Sequence, residues 1–117
     1  MSVYRITKVR ILPGKSSDFY KVFAYAPKIW EAEKAAGLLL DYKIMHSVNL
    51  EGPEKYDIVY ILHYKNMAAL DTLMEDVQPV VAKVYGTPEN RAAMAKMQSE
   101  TSEVVSSELV REIALKP

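Results

Sequence analysis

The sequence contains no cysteine, one tryptophan and two phenylalanines among its 117 residues. The absence of cysteine excludes disulfide bonds, thiolate nucleophiles and metal sites with thiolate ligands, and it is compatible with a reducing compartment. No apolar run approaches the ~18 residues that a membrane-spanning helix needs. Charged residues interrupt the apolar N-terminal stretch, which is therefore not a signal peptide. We expect a cytoplasmic protein with no membrane partner.

Neither sign of charge is in excess, since fifteen lysines and arginines balance fifteen aspartates and glutamates. Nucleic-acid-binding proteins usually carry a basic patch or stripe, so we expect no nucleic-acid partner. Balanced charge also does little to oppose self-association. The length is typical of one domain with a core of its own, and no linker or repeat interrupts the chain. Residues 1–117 are therefore predicted to form a single domain.

The first third of the chain predicts a strand followed by a helix. A run rich in β-branched residues over 2–12 ends at the Pro-Gly pair 13–14, which is typical of a strand and a turn. Residues 16–18 supply N-cap side chains for a helix that ends at Gly37, and its apolar residues recur at three- and four-residue spacing. Pro27 is expected to kink this helix or divide it in two.

The middle of the chain predicts a β-hairpin and a second helix. Strands are expected over 38–50 and 56–65, joined by a short turn at 51–54. A helix capped by Asn66 is expected to run to Gly86 with a proline bend inside it. Its apolar stripe consists of Leu70, Leu73, Met74, Val77, Val81 and Val84.

The C-terminal third completes the pattern. Thr87 and Pro88 predict the start of a short helix that continues through Met97, and residues 103–115 predict a last strand. The order β-α-β-β-α-(α)-β predicts an α+β, ferredoxin-like fold, which is a four-stranded antiparallel sheet with helices on one face. The opposite face is partly apolar as well, and a second copy is its simplest cover. We therefore expect a homodimer that packs sheet against sheet.

This element order, together with the Ile-Leu-Pro-Gly-Lys passage at 11–15, resembles the dimeric α/β-barrel superfamily. Its members include antibiotic-biosynthesis monooxygenases, haem-degrading monooxygenases, stress-responsive barrel proteins and NIPSNAP-like proteins. The resemblance implies a dimeric α/β barrel with a pocket between the sheet and the first helix. It does not imply haem chemistry. Haem-degrading members use an asparagine on strand one, a tryptophan near strand three and a histidine on helix two, and this sequence has none of these there.

Several polar side chains are predicted to face that pocket. Period-two alternation puts Tyr42 and His46 on the helix-facing side of the first hairpin strand, and Tyr60 and Tyr64 on that side of the second. On the first helix, Glu33 falls within the apolar arc when residues are spaced by about 100°. A carboxylate buried there would have a raised pKa, and it would be available as a base or as an orienting group for His46.

We therefore predict a pocket whose catalytic side chains are His46, Glu33 and Tyr42. The side chains predicted to bind ligand are Phe23, Trp30, Tyr60 and Tyr64. The expected ligand is a small aromatic or polyketide-like molecule, and the expected chemistry is that of a cofactor-free monooxygenase, isomerase or cyclase, with no cofactor bound. Structural alternatives stay open, because strands favour tyrosine, a shift in helical phase at Pro27 would turn Glu33 to solvent, and His46 is equally compatible with a structural role.

The alternative function is a barrel protein of the stress-responsive type, which self-associates and catalyses nothing. A metal site is not expected either. His46 belongs to the helix-facing row, whereas alternation puts His63 on the opposite face, toward the predicted dimer partner. A one-residue slip in the pairing of the two hairpin strands would bring both histidines to one face. The exclusion of a metal site therefore depends on the register.

Overall fold

The computed structural model describes residues 1–48 and 51–117. Within them the chain forms strands β1 (Val3–Ile11), β2 (Asp41–His46), β3 (Ile58–Tyr64) and β4 (Ser102–Arg111). The helices are α1 (Ser16–Phe23), α2 (Tyr25–Ala35), α3 (Leu73–Asp76), α4 (Gln78–Tyr85) and α5 (Pro88–Thr101), with a short 3-10 helix over Met67–Leu70. In the same residues, no helix combines the length and the apolar character needed to cross a membrane.

The strands form one antiparallel sheet in the order β2-β3-β1-β4. The two central strands bury alternate side chains, as expected of a sheet covered on one face. The buried positions of these strands are Val3, Thr7, Val9, Ile58, Leu62 and Tyr64. They face the helices, whose buried side chains include Phe19, Val22 and Trp30. The predicted α+β fold, with a four-stranded antiparallel sheet and helices on one face, is confirmed.

The first helical segment is divided into two helices, α1 and α2, which is one of the two outcomes expected from Pro27, the other being a kink. Pro27 has no N–H to donate to the carbonyl of Phe23, and α1 ends at Phe23 while α2 begins at Tyr25. Gly37 follows α2 with φ of 77°, a backbone conformation that glycine adopts without steric cost. The expected N-cap at residues 16–18 is not formed, because α1 begins at Ser16 without a side-chain cap.

The predicted single helix from Asn66 to Gly86 is wrong. Asn66 does act as a cap, since its side-chain oxygen accepts from the backbone N–H of Ala69 at 2.9 Å, but it caps the 3-10 helix. Pro79 lies near the start of α4 and has no N–H to donate to the carbonyl of Glu75. The segment therefore forms the 3-10 helix, α3 and α4 in succession.

The apolar stripe of that segment is also partly wrong. Met74 is 75% exposed, whereas its neighbour Leu73 is half-buried and packs against the core. Val77 and Val81 are half-buried as well. Because the segment is divided into three short helices, a stripe drawn along one continuous helix assigns some of these side chains to the wrong side.

The hairpin has the predicted pairing but a longer connection. β2 begins at Asp41 and ends at His46, and eleven residues, 47–57, separate it from β3; Asn49 and Leu50, at the end of the predicted strand, lie outside the described residues. Asp57 ties this connection to β1, because its backbone N–H donates to the carbonyl of Val9 at 2.9 Å. The expected short turn and the expected start of the strand at 56 are therefore corrected.

The C-terminal elements also differ in length from the prediction. Thr87 caps α5 by accepting from the N–H of Asn90 at 3.1 Å, with Pro88 at the first helical position as predicted. The helix then runs to Thr101, four residues beyond Met97. β4 ends at Arg111 and residues 112–117 are exposed and irregular, so the last strand is shorter than the predicted 103–115.

The core between helices and sheet consists of two clusters. One contains Val3, Trp30, Leu39, Leu62 and Tyr64, and the other contains Val9, Phe19 and Ile58. Phe23 and Tyr60 are half-buried and pack against both clusters. These two aromatic side chains therefore mark the place where the clusters meet.

Candidate functional site

A cavity of about 170 Å³ lies between the helices and the sheet at the junction of the two core clusters. Its apolar lining consists of Val9, Phe19, Val22, Phe23, Ala26, Ile29, Trp30 and Val104. Its polar lining consists of Tyr60, Tyr85, Gln98 and Ser102. Both α1 and α2 contribute to this wall, so the cavity occupies the region that the first helix and the sheet were predicted to enclose.

Three aromatic rings form one side of the cavity. The centroid of Trp30 lies 4.9 Å from that of Tyr60 with the planes at 44°. Phe23 meets Tyr60 at 6.2 Å and 74°, and it meets Trp30 at 6.3 Å and 81°. Tilted and edge-to-face contacts of this kind are the favoured arrangements of aromatic pairs. Phe23 is the last residue of α1 and Trp30 lies seven positions later on α2, a spacing that puts both rings on the same side of the helical segment.

The hydroxyl group of Tyr60 has a defined electrostatic environment. Burial raises the pKa of Tyr60, while the neighbouring Thr7 hydroxyl and the positive charge of Arg5 oppose this rise. Thr7 itself is buried and lies directly opposite Tyr60 in the pairing of β1 with β3. Tyr60 is therefore one of four polar residues in a lining that is mostly apolar.

Tyr85, another polar residue of the lining, has its backbone held by a side chain of α5. The Asn90 side-chain amide donates to the backbone carbonyl of Tyr85 at 2.9 Å and to the hydroxyl of Tyr25 at 3.2 Å. The rings of Tyr25 and Tyr85 lie 4.8 Å apart. Burial raises the pKa of Tyr85. One asparagine thus joins α2, α4 and α5 where they enclose the cavity.

The cavity lining is poor in acids and bases. In the part of the chain that the structure describes, the lining includes no histidine, carboxylate, lysine or arginine. The groups that can donate or accept a proton there are the hydroxyls of Tyr60, Tyr85 and Ser102. An uncharged apolar surface with a few hydroxyl groups suits a neutral ligand with one or two polar atoms.

The structure brings together three of the four predicted ligand-binding residues. Phe23, Trp30 and Tyr60 all line the cavity. Tyr64 lies outside it, buried in the core cluster that also contains Trp30. Burial, with a smaller contribution from the negative charge of Glu33, raises the pKa of Tyr64 to about 12.

None of the three predicted catalytic residues lines the cavity. Glu33 is 8% exposed, and burial raises its pKa. The division of the helix near Pro27 therefore did not turn Glu33 toward solvent. Tyr42 is half-buried, with its ring 5.4 Å from that of Trp30. His46 is exposed, and its ring lies 6.4 Å from that of Tyr20 at the surface.

The expected pocket shared by Glu33 and His46 is not formed. His46 pairs with Ile58 at one end of β3, whereas Glu33 is near enough to Tyr64, at the other end, to raise its pKa. Ile58 and Tyr64 are six residues apart along the strand, which corresponds to about 20 Å. Alternation placed His46 on the predicted face, but alternation carries no information about position along the helix above it.

Residues from the C-terminal half complete the cavity and were absent from the predicted site. Tyr85, Gln98, Ser102 and Val104 all line it. The sequence contains eight tyrosines and two phenylalanines. This excess indicates that some tyrosines line a pocket or an interface, but it does not distinguish Tyr85 from the others. Gln98 and Ser102 carry no local signal, because only the return of the chain through α5 into β4 brings them to the cavity.

The helix-free face of the sheet contains a second pocket, with a volume of about 440 Å³. It is lined by Tyr4, Ile6, Asp41, Lys43, Ile61, His63 and Val110, and at its β2 edge by Tyr42, whose ring packs near Trp30 on the helix-facing side. Because His46 pairs with Ile58 and His63 pairs with Asp41, the two histidines lie on opposite faces, as the preferred register predicted. Among residues 1–48 and 51–117, no group of three or more potential ligand side chains is arranged to hold a metal ion.

The strand order β2-β3-β1-β4, with helices on one face, defines a ferredoxin-like α+β protein. Solved structures with this architecture cover nearly the whole chain. An ethyl tert-butyl ether d (EthD) family protein from Bacillus halodurans matches 97% of this chain and 100% of its own, with 17% identity and a TM-score of 0.59. A dimeric protein of unknown function and ferredoxin-like fold from Bacteroides fragilis matches 93% and 92%, with 18% identity and a TM-score of 0.50.

A third similar structure is SnoaB, a cofactor-independent oxygenase from Streptomyces nogalater. It matches 99% of this chain and 97% of its own, with 13% identity and a TM-score of 0.50. Likeness at these identities establishes the fold, and it confirms at that level the resemblance inferred from the sequence. No protein-family profile and no curated protein sequence matches the chain.

Proposed function

We propose that the protein binds a small neutral aromatic molecule in the cavity beneath Trp30. The observation that carries this proposal is the combination of the volume, about 170 Å³, with a lining of aromatic and aliphatic side chains. A dry apolar cavity of about 150 Å³ engineered in another protein binds benzene. Pockets for drug-sized ligands measure roughly 300–1,000 Å³. A single aromatic ring therefore suits this volume, whereas a polyketide of several rings exceeds it.

The finer proposal is a reaction at that bound ring, either an isomerisation or an oxygenation that consumes O2. The fold supports oxygenation as a candidate because it is shared with a cofactor-independent oxygenase. In the cavity, Tyr60 is the group best situated to hold or move a proton at a ligand oxygen. Catalytic roles for His46, Glu33 and Tyr42 have less support, since none of these side chains lines the cavity.

Trp30 provides the direct test of binding, because it is the only tryptophan in the chain and lines the cavity. Titration with toluene is expected to change the tryptophan emission to saturation. Ala26→Phe, which places a ring in the cavity, is expected to abolish this change. Ala95→Phe, at an exposed position of α5, is the matched control and should titrate like wild type.

Thermal unfolding of both variants checks that the substitution has not disturbed the fold, and Ala26→Leu replaces Ala26→Phe if the larger ring prevents folding. Wild-type emission that stays unchanged up to the solubility limit of toluene would overturn the proposal. Equal titration of the Ala26 and Ala95 variants would do so as well, because the ligand would then bind elsewhere.

We also propose that a second copy of the chain covers the helix-free face of the sheet. Ile6, Ile61 and Val110 form an apolar centre of that face, and charged Asp41 and Lys43 lie at its β2 edge. An apolar centre with a polar rim is the usual anatomy of a protein interface. The dimer is compatible with ligand binding and equally with the alternative function, a self-associating protein that catalyses nothing.

A further inference from the structure

The residues that line the cavity differ in their exposure from one side to the other. In β1, α1 and α2, the lining includes Val9, Phe19 and Trp30, which are buried. Within the lining, every residue of which the structure describes, only Gln98 and Val104 are exposed, and Val104 is 60% exposed. The cavity therefore meets solvent between Gln98, near the end of α5, and Val104, near the start of β4. This opening is the mouth of the cavity.

A β-bulge in β4 brings Val104 to the mouth. Lys8 of β1 pairs with Ser106, whereas the next residue, Val9, pairs with Val104, so Val105 is an extra residue in β4. In a regular pairing Val105 would lie opposite Val9, and Val104 would point to the helix-free face. Bulges of this kind occur often beside functional sites, where they redirect a side chain.

The mouth is framed by regular secondary structure. Thr101 ends α5 and Ser102 begins β4, with no loop between them. The Ser102 hydroxyl donates to the backbone carbonyl of Gln98 at 3.1 Å, and the backbone N–H of Leu12 donates to the carbonyl of Thr101 at 2.9 Å. The two sides of the mouth are thus connected by a hydrogen-bonded segment that is itself tied to the chain just after β1.

Resting on the proposed function, we infer that the ligand is an aromatic ring that bears one chain, and that this chain leaves the cavity between Gln98 and Val104. A volume of about 170 Å³ accommodates the ring alone, so any further part of the ligand needs an exit. The mouth is the exposed side of the lining. A polar or charged group at the end of the chain stays in water there, and its burial, which would be costly, is avoided.

This inference extends the ligand class from bare rings to arylalkyl compounds with a polar end. Only the part inside the cavity has to be neutral. Gln98 is the polar side chain at the mouth, and its amide both donates and accepts hydrogen bonds. Gln98 and Val104 are therefore the residues expected to determine which chains the site accepts.

The test uses two probes with the same ring and opposite charges at the end of a three-carbon chain, 3-phenylpropanoate and 3-phenylpropylammonium. Isothermal titration calorimetry at low salt measures their affinities, since salt screens exposed charges. Both probes should displace toluene from wild type, and Ala26→Phe should bind neither. These two results would show that the ring of each probe occupies the cavity.

Charge at residue 98 then reports where the chain leaves. Gln98→Lys should tighten binding of the carboxylate about two- to fivefold and weaken binding of the ammonium by a similar factor, as expected of an exposed ion pair. Gln98→Glu should have the opposite effects, and neither variant should change the affinity for toluene by more than about twofold. Val104→Lys, on the other side of the mouth, should act like Gln98→Lys, and it decides the question if a Gln98 variant does not fold.

The matched control is Ala92→Lys, which adds the same charge at an exposed position of α5. Ala92 lies six residues before Gln98, about 9 Å away along the helix and on another side of it. We expect this variant to bind both charged probes within about twofold of wild type.

The outcomes distinguish this inference from the proposed function. If toluene binds but neither charged probe displaces it, the mouth admits no chain, and this inference is overturned while the proposed function stands. Equal effects of the Gln98 and Ala92 variants would overturn it as well, because the chain would then leave elsewhere. Failure of toluene to bind would overturn the proposed function itself.

Discussion

His63 stacks on Tyr4 on the helix-free face of the sheet, with ring centroids 4.4 Å apart and ring planes 10° apart. Its Nε2 atom is buried and has no hydrogen-bond partner among the residues that the structure describes. Buried polar atoms without a partner are rare and destabilising in folded proteins. A second copy of the chain on this face would cover the Tyr4–His63 pair and the neighbouring apolar side chains.

The proposed dimer predicts a solution mass of twice 13.2 kDa. Ile61→Glu, at the centre of the helix-free face, is expected to shift the protein to the monomer, because burial of an unpaired charge opposes association. Sedimentation equilibrium at micromolar concentration measures both masses. Met74→Glu is the matched control, since Met74 is 75% exposed on α3. A wild-type mass near 13.2 kDa would refute the dimer.

Glu33 predicts a specific dependence of stability on pH. Burial raises its pKa above the ordinary 4.5, so the folded protein binds this proton more tightly than the unfolded chain. The stability that the folded protein gains from binding this proton is fully present below pH 4.5, and it is lost as the pH rises through the raised pKa of Glu33. Glu33→Gln keeps a neutral side chain at every pH. The Tm of the variant should therefore exceed that of wild type at neutral pH, and the difference should shrink toward pH 4.5.

The matched control for that experiment is Glu31→Gln on the same helix. Glu31 is exposed and its contact with Lys34 is long, at 3.9 Å, so little stability depends on it. We expect its Tm to follow that of wild type at each pH. A Glu33→Gln variant less stable than wild type at neutral pH would show that the carboxylate has a stabilising partner.

Adjacent residues of α3 predict opposite sensitivities to truncation. Leu73 is half-buried and packs against the core cluster around Trp30, so Leu73→Ala should cost about 1–2 kcal/mol, below the roughly 2–5 kcal/mol of a fully buried leucine. Met74→Ala should cost less than about 0.5 kcal/mol. Urea unfolding at one protein concentration measures both. Equal losses would contradict the assigned orientation of α3.

The position of His46 predicts that it has no part in binding at the cavity. His46 is exposed and is separated from the lining, so His46→Gln should leave the affinity for toluene within about twofold of wild type. The tryptophan titration measures this, with Ala26→Phe as the variant expected to lose binding. A large loss of affinity in His46→Gln would restore the histidine to the site that the sequence pattern predicted.

The sequence predicted the helix-facing side of β3 more accurately than the course of the helical segment after Asn66, for a physical reason. Alternation in β3 identified Ile58, Leu62 and Tyr64 as the helix-facing row, and all three are buried. A strand in a central position keeps one period along its length, so a local pattern is sufficient. The prediction for the segment after Asn66 failed because Pro79 interrupts the backbone hydrogen bonds, and a helical period does not continue across three separate short helices.

The candidate site was predictable to a similar, partial extent. Phe23, Trp30 and Tyr60 lie on periodic faces that the sequence reveals, and they line the cavity. The pairing of Glu33 with His46 failed because each side chain was assigned to the right face but to no position along it. Contacts between distant segments depend on the register and crossing of whole elements, which local spacing does not encode.

By itself, the sequence determined the element order, the helix-facing rows of the hairpin and the absence of thiol chemistry. These features depend on local spacing, on proline and glycine, and on composition. Tertiary structure alone decided that α5 and β4 deliver Gln98 and Ser102 to the cavity, and that Thr7 lies between Tyr60 of β3 and Ser107 of β4. The three residues of that row are some fifty to one hundred positions apart in the sequence, and only the antiparallel pairing of β1 with both β3 and β4 brings them side by side.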